Sequence, residues 1–397
     1  MTVEKTDILV AGGGVAGLMA AMSFAQIGYS VICVDPSPPV SDRGDERADL
    51  RSTAFLMPAV EMMQEVALWP LLAPHAAELR VMRLCDSGGV ENGIREQVDF
   101  DAAEIGYERF GWNIPNWALR DTMIGHAERF ETLDLRMGRA VKSMLARTNA
   151  ARITLDDGAR IEAKLVIAAD GRNSLIREIL DIPSRTTRYG QKGIVFAARH
   201  PEPHDGISTE LHRTGGPFTL VPLPDEGGAH RSAIVWMETG PNVADLMALD
   251  DDAFSAAATQ RSCNILGPLQ VEGGRRSWPI ISQQAESLIG ARTALIAEAA
   301  HVMPPIGAQG LNTSFADIRA LIDAAGRNGI GSEQMLDDYA QARQRDITLR
   351  ERGVEVLNRA ALTDAQPLRD LRRSGLRLLG GLAPLRHAAI RRGMGLG

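Results

Sequence analysis

Three glycines, Gly12, Gly14 and Gly17, follow one another as G-x-G-x-x-G between an apolar run ending at Ala11 and an apolar-rich helical segment, and Asp35 closes the next apolar run 18 residues beyond Gly17. Each residue type has a mechanical reason to be there. A first glycine allows the tight turn out of a strand, a second lets a pyrophosphate approach the backbone, and a third lets helix and strand touch. Val15 and Ala16 open the helix, so their N–H groups and the helix dipole face the anion. The Asp35 carboxylate is suited to accept the ribose hydroxyls of an adenosine, and it disfavours a 2′-phosphate, which would place two anions together. Dinucleotide binding is therefore expected. The motif alone does not choose between a nicotinamide and a flavin.

Two further segments bear on that choice. Leu165–Arg177, LVIAADGRNSLIR, resembles the A-D-G…S..R segment of the aromatic-ring (group A) flavoprotein monooxygenases. Ala297 onward, AEAAHVMPPIGAQGLNTSFADI, resembles that family's G-D-A-A-H..P-P..G-Q-G.N segment. Further matching pieces are Asp49 and Arg51, Trp69, Asn116, Leu119 and Arg120, Tyr189 and Gln191, Gly216 to Leu223, Trp236, and Met394 to Leu396. Together they are similar to the ubiquinone-biosynthesis hydroxylase branch over essentially the whole chain.

The resemblance implies bound FAD, with NAD(P)H as a transient reductant and dioxygen as co-substrate. It implies hydroxylation of the ring of a polyprenylated phenol or quinol through a flavin C4a-hydroperoxide, chemistry that the cofactor supplies and the protein orients. In this reading Asp170 ends a strand at the crevice, Arg172 and Arg177 anchor the turn through phosphate or carboxylate pairs, and Arg51 and Arg120 lie over FAD phosphate and ribose oxygens. A helix beginning near Gly310 directs the N–H groups of Leu311 and Asn312 at the flavin pyrimidine, where negative charge develops. Pro305 and Ile306 shape the pocket wall, and no side chain is assigned as a catalytic acid or base. His301 reads better as a loop fastener than as an acid or base.

Two departures stand out. Ala297-Glu298 replaces the family's Gly-Asp, and Gly307-Ala308-Gln309 stands where Ala-Gly-Gln is usual. Glu298 can still accept hydrogen bonds if the backbone recedes by a methylene. A non-catalytic FAD-binding scaffold in a quinone-synthesis assembly is one alternative, and a monooxygenase of a small soluble phenol is another. A halogenase lacks support because no W-x-W-x-I-P segment is present, and a nicotinamide dehydrogenase leaves the second and third segments unexplained.

The elements that must position these residues follow from periodicity. Strand, glycine turn, helix and strand over the first 35 residues form a unit suited to a parallel sheet covered on both faces. A Pro/Ser stretch, Pro36 to Glu46, interrupts it, and helix is expected to resume from Ala54. Asn116–Phe130 reads as an amphipathic helix, and Ala151–Gly171 as a hairpin with a D-D-G turn ending in a buried strand. From about Thr186 to Pro279 short strands alternate with glycine and proline turns, as in an inserted antiparallel sheet. Its candidate pocket residues are Val195, Phe196, Phe218, Leu220, Val235 and Trp236, with Pro222 favoured.

The expected fold is an α/β FAD-binding Rossmann-like domain with an inserted antiparallel-sheet substrate domain (α+β) and a helical C-terminal tail. The FAD-binding domain comprises residues 1–80, 111–185 and 281–345. A substrate-side segment covers 81–110, the substrate domain 186–280, and the basic helical tail 346–397.

Composition sets the remaining limits. The 397 residues contain 45% apolar and 23% charged side chains, ordinary globular usage for two or three domains. The net charge of −7 offers no broad attraction to nucleic acid, and the three dispersed cysteines suggest neither a zinc site nor disulfides, so no metal is expected. A reducing, cytoplasmic location is expected, with no secretory signal and no membrane-spanning segment. The charge is unevenly spread. Ala365–Gly397 carries seven arginines against Asp370, a local +6, and Leu368, Leu371, Leu378, Leu382 and Leu385 can share a helical face. Peripheral contact with the inner face of an anionic membrane is expected there, the arginines meeting headgroups.

Overall fold

A computed structural model describes residues 3–37, 49, 51–88, 93–362 and 366–395, without the side chains of Ala360 and Leu368. The Pro36–Glu46 stretch beyond Ser37, and Leu396 of the C-terminal M-G-L, lie outside the described residues.

The continuous apolar runs become the centre of the first sheet. Its strands lie in the order Ile289–Gly290, Thr293–Leu295, Arg160–Ala168, Glu4–Ala11, Val31–Asp35 and Leu133–Met137. All neighbours but the first pair are parallel, and a hairpin, Val141–Ala146 with Ala151–Leu155, extends the sheet beside Arg160–Ala168. Parallel strands buried on both faces need apolar residues at every position, as Ile8–Ala11 and Leu165–Ala168 provide. Helix Val15–Gln26 is buried from Ala16 to Ala25 and packs against helix Gln309–Asn328. Ala11 is level with both Val34 and Ala168, so the carboxyl ends of three adjacent strands open on one crevice.

The second sheet runs His301–Val302, Gln270–Ala285, Ser184–His200, Ala229–Thr239, Gly216–Glu226, Ile207–Arg213, Val81–Asp86 and Glu96–Asp101. The expectation of a purely antiparallel sheet is corrected at one place, where Ile207–Arg213 pairs with Val81–Asp86 in parallel. A parallel pair needs a long crossover, and here much of the first sheet lies between the two strands in sequence.

Alternation along these strands assigns the proposed pocket residues to opposite faces. Phe196, Phe218, Leu220 and Trp236 join a core with Phe254 and Val243 beneath helices Gly240–Ala248 and Asp251–Arg261. They are core residues. Val235 faces the other way and packs with Met237, Ile280, Ile306 and Val354, and Val195, one residue out of step with Phe196, shares that face. Pro222 is buried, and its carbonyl accepts the Asn113 side-chain N–H at 2.8 Å.

A third, three-stranded sheet joins Ser52–Leu56, Gly111–Pro115 and Ala77–Leu79. The helix expected from Ala54 begins only at Met57, with Pro58 in its first turn. Pairing with Gly111–Pro115 wins over the helical pattern, and it requires glycine at 111, where a Cβ would sit 1.8 Å from the Phe55 carbonyl oxygen.

The chain ends in helices Glu333–Leu362, Gln366–Gly381 and Ala383–Gly393. Leu376, Ile390 and Met394 complete a core with Leu79, Val98 and Phe100. The expectation that the tail arginines meet headgroups fails for Arg372 and Arg386. Arg372 reaches the fully buried Asp86 at 2.6 Å, and Arg386 reaches Glu104 at 2.7 Å. Among the described residues no helix is long and apolar enough to cross a membrane.

Candidate functional site

The crevice at the carboxyl ends of the first sheet is built around the glycine turn. Gly12 has φ +111°, and a Cβ there would lie 2.2 Å from the Ala169 carbonyl oxygen. A Cβ on Gly17 would lie 1.9 Å from the Gly12 oxygen, so helix and strand are in backbone contact. Gly14 is different, because no atom lies within 4 Å of its missing side chain. Open space therefore adjoins the N–H groups of Val15 and Ala16 at the helix start.

Asp35 stands beside this turn. Its Oδ2 accepts the Gly13 N–H at 2.6 Å and its Oδ1 the Ser37 N–H at 2.7 Å, while the Arg120 guanidinium lies 3.8 Å away. The carboxylate is held in place, with lone pairs remaining for ribose hydroxyls. The buried Nε of Arg120 has no partner.

Asp170 has the same two-sided character. One oxygen accepts the Ile176 N–H at 3.1 Å, and the other is buried with no partner among the described residues. Among the described residues neither Arg172 nor Arg177 pairs with a carboxylate. Arg177 instead donates to the carbonyls of Ala299 and Arg172, each at 2.8 Å, tying the second segment to the third. The Arg172 carbonyl also accepts from Gln283 at 3.0 Å.

In the third segment Ala297 and Ala308 both adopt left-handed backbone, φ 54° and 56°. Glu298 is exposed at the start of the turn Ala297–Ala300. Helix Gln309–Asn328 follows Ala308, and nothing lies within 4 Å of the missing Gly310 side chain, so the N–H groups of Gly310 and Leu311 begin the helix beside open space. The Asn312 side chain is already engaged. Its oxygen accepts the Leu56 N–H at 2.9 Å and its amide donates to the Ala54 and Ala308 carbonyls. Pro305 is exposed, whereas Ile306 is buried against Met237, Ile280 and Val354 and therefore backs the loop.

His301 is fastened at 2.7 Å to fully buried Asp317, whose second oxygen accepts from Arg343 at 2.8 Å. Arg343 and Arg350 share Asp346, and Arg350 also reaches Gln309 at 2.6 Å. This relay braces the loop before the helix. Sequence spacing gives no sign of it, because Arg343 and Arg350 lie on the separate long helix Glu333–Leu362. Gln191 was matched only by resemblance; it donates to the Gly215 carbonyl and accepts from buried Asn358, tying that same helix to the second sheet.

Arg51 forms a paired hydrogen bond with Asp49, at 2.8 and 2.7 Å, and its guanidinium lies 5.2 Å from the Trp278 ring centroid. The hydrogen bonds that Arg51 donates to Asp49 push its pKa up against the cost of burial, with Glu298 adding a weaker attraction. Burial raises the Asp49 pKa, but bonds from Arg51 and Asn116 outweigh it and hold the group below its ordinary value. Trp278 was not anticipated. A tryptophan inside an apolar strand reads as core, and only its partner identifies it.

Two surface cavities, of about 500 Å³ beside Cys263 and about 390 Å³ beside His204, share no lining residue with the crevice. Among the described residues no three His, Cys, Asp or Glu side chains are grouped to hold a metal ion. The donor set instead suits a flavin dinucleotide: open backbone N–H groups at two helix starts, an orphan carboxylate oxygen on Asp170, and an acid beside the first turn.

Comparison with known proteins supports the same assignment. A family model described as an FAD binding domain matches residues 5–351. Ubiquinone hydroxylase UbiL of Rhodospirillum rubrum is 29% identical, covering 99% of this chain and 90% of its own length. The 3-demethoxyubiquinol 3-hydroxylase of Escherichia coli is 24% identical, with 100% of both chains covered. Among solved structures, p-nitrophenol 4-monooxygenase of Pseudomonas putida superposes with a TM-score of 0.79 at 16% identity over 99% of each chain. The Diels-Alderase PyrE3 superposes at 0.75 with 19% identity over 99% of this chain and 81% of its own. These last two likenesses establish the fold alone.

Proposed function

The chain belongs to the FAD-binding-domain family, and from that premise we propose that it is an FAD-dependent monooxygenase hydroxylating the aromatic ring of a polyprenylated phenol or quinol in ubiquinone biosynthesis. NAD(P)H is the transient reductant and dioxygen the co-substrate. Supporting this reading are the open space beside the Gly14 and Gly310 backbone and the partnerless buried oxygen of Asp170, in a chain nearly all of which is matched by relatives named as ubiquinone hydroxylases. On this reading residues 1–80, 111–185 and 281–345 form the FAD-binding unit, 81–110 and 186–280 the substrate unit, and 346–397 the tail.

Bound FAD supplies dioxygen activation and oxygen transfer to an electron-rich ring. The protein binds, orients and excludes water. The turn Gly12–Gly17, with the N–H groups of Val15 and Ala16, holds the pyrophosphate, and Asp35 holds the adenosine ribose. Arg51 and Arg120 lie along the phosphates and ribose, the free oxygen of Asp170 accepts from the ribityl chain or a bound water, and Glu298 serves the same stretch. The N–H groups of Gly310 and Leu311 at the helix start would stabilise negative charge on the pyrimidine ring, whereas the Asn312 N–H, four residues after the Ala308 cap, is spent within the helix. Pro305, Val195 and Val235 face the substrate ring, which must be positioned closely and shielded from bulk water. The substrate dissolves in a membrane, so the enzyme works at the inner face, in contact with lipid and with other quinone-synthesis proteins.

Deleting the gene in its source organism and identifying the accumulated prenylated aromatic tests this assignment. Unchanged quinone synthesis, or purified protein that stays colourless with excess FAD, removes it. The left-handed alanines at 297 and 308, in positions where related sequences usually have glycine, favour one rival, a non-catalytic scaffold. That rival requires FAD binding without NAD(P)H consumption for any quinone intermediate.

A further inference from the structure

The tail helix Gln366–Gly381 has two apolar faces. Leu376 is buried on the docked face, beside Arg372 and its partner Asp86. On the opposite face Leu371, Leu378 and Leu382 are 67%, 57% and 45% exposed, and Leu385 at the start of the next helix is 45% exposed. Spacings of seven and four residues stack the first three in one row. Scattered exposed leucines are ordinary, but a continuous row is the mark of an interaction surface.

The charge around the row selects its partner. Arg391 and Arg392 are exposed on helix Ala383–Gly393 with no ion-pair partner among the described residues. Arg377 is exposed along the flank of the row and pairs only with Glu96. The tail's single acid, Asp370, is engaged by Arg95. On the long helix Leu349, between Arg345 and Arg352, and Val356, between Arg352 and Arg359, are likewise exposed. An apolar row bordered by arginines, whose neighbouring acids Asp370 and Glu96 are already paired, fits lipid tails beneath anionic headgroups.

We propose that the Leu371–Leu378–Leu382–Leu385 face lies in the headgroup region of an anionic bilayer. Arg377, Arg391 and Arg392 meet the lipid phosphates, while Arg372 and Arg386 hold the tail to the enzyme. The proposal deepens the hydroxylase reading, which supplies the reason for a membrane, but it is tested without turnover.

Full-length, FAD-loaded protein is sedimented with large vesicles of phosphatidylcholine, alone or with roughly a third phosphatidylglycerol, at low and high salt. The expected result is binding to the anionic vesicles that falls with salt. Leu371→Ser/Leu378→Ser should weaken partition on the order of tenfold or more, and Arg391→Ser/Arg392→Ser several-fold. Both variants should keep wild-type FAD content and melting temperature, because the altered side chains are exposed. Absent binding, or wild-type binding by the leucine variant, overturns the proposal. So does a leucine variant that leaves vesicle binding absent but dissociates an oligomer, which assigns the face to a second copy. A chain that binds vesicles without hydroxylating any ring refutes only the hydroxylase reading.

Discussion

Ala308 shows how a single backbone angle separates this chain from the pattern it resembles. With φ 56° it occupies the left-handed region at the residue that caps helix Gln309–Asn328, directly after Gly307 at φ 63°. An L-residue there costs roughly 1–2 kcal/mol, which glycine avoids at the expense of a more flexible unfolded chain. Ala308→Gly should therefore stabilise the apoprotein by about 0.5–1 kcal/mol without weakening FAD binding, as read by chemical denaturation and flavin titration. A destabilised variant shows that the alanine methyl makes contacts worth more than the strain. Glu351 allows a pH test in the same region. Burial, with the nearby Glu355 charge, raises its pKa, and His301 only partly offsets this. The unfolded state then releases its proton first, so this group's contribution to stability falls as pH rises from the ordinary glutamate range through the folded value. Glu351→Gln should melt above wild type at neutral pH and match it near pH 4, the unperturbed range of the acid. Equal melting at both pH values refutes that assignment. At this scale the glycines were legible because each meets a backbone constraint local in sequence. The pairing of Arg51 with Trp278 and of Asp317 with Arg343 was not, because their partners lie on different elements.

At the scale of elements, alternation identified the second sheet but did not say which face would carry the ring. Phe196 and Val195 differ by one residue and lie on opposite sides, and the helices Gly240–Ala248 and Asp251–Arg261 decide which side is closed. Ala54–Leu56 reads as helix in the sequence for a related reason, since the strand it pairs with lies more than fifty residues on. The tail shows a third long-range decision. Asp86 ends a strand of the second sheet, is fully buried, and binds Arg95 at 2.6 Å and Arg372 at 2.6 Å. Two guanidiniums share one carboxylate, so removing the acid leaves both cations without it. Asp86→Ala should destabilise the docked tail by about 3–5 kcal/mol, more than Arg372→Ala, which leaves the buried acid its second partner, Arg95. Limited proteolysis should then cut the chain within helices Gln366–Gly381 and Ala383–Gly393 at a protease concentration that leaves wild type intact. Uncut protein, with an unchanged melt, means the apolar contacts of Leu376, Ile390 and Met394 hold the tail unaided.

Across the whole molecule, the proposed flavin site has no contiguous origin. It takes residues 12–17 and 35 from the first strand–helix–strand unit, 49, 51 and 120 from around the three-stranded sheet, 170 from the middle of the chain, and 297–312 from the segment that contains the second sheet's last strand in sequence, His301–Val302. Strands Glu4–Ala11, Arg160–Ala168 and Thr293–Leu295 are adjacent in the sheet though far apart in sequence. Such parallel, non-local pairing defers the rewards of folding until long loops close. A ligand that touches every segment at once binds the folded state and has no equivalent site on the unfolded chain, so its binding energy becomes folding energy. FAD at a hundred times its dissociation constant should add about 2.7 kcal/mol of stability, raising the melting temperature by a few degrees, with a further rise for each increment of free FAD. Riboflavin lacks the pyrophosphate and adenosine that Gly12–Gly17 and Asp35 are proposed to hold, so at equal concentration it should shift the melt far less. Equal shifts by the two compounds place the binding energy at the Gly310 end and remove the first glycine motif from the site. A chain that melts at one temperature regardless of FAD binds it too weakly for the convergence of these segments to have the role proposed.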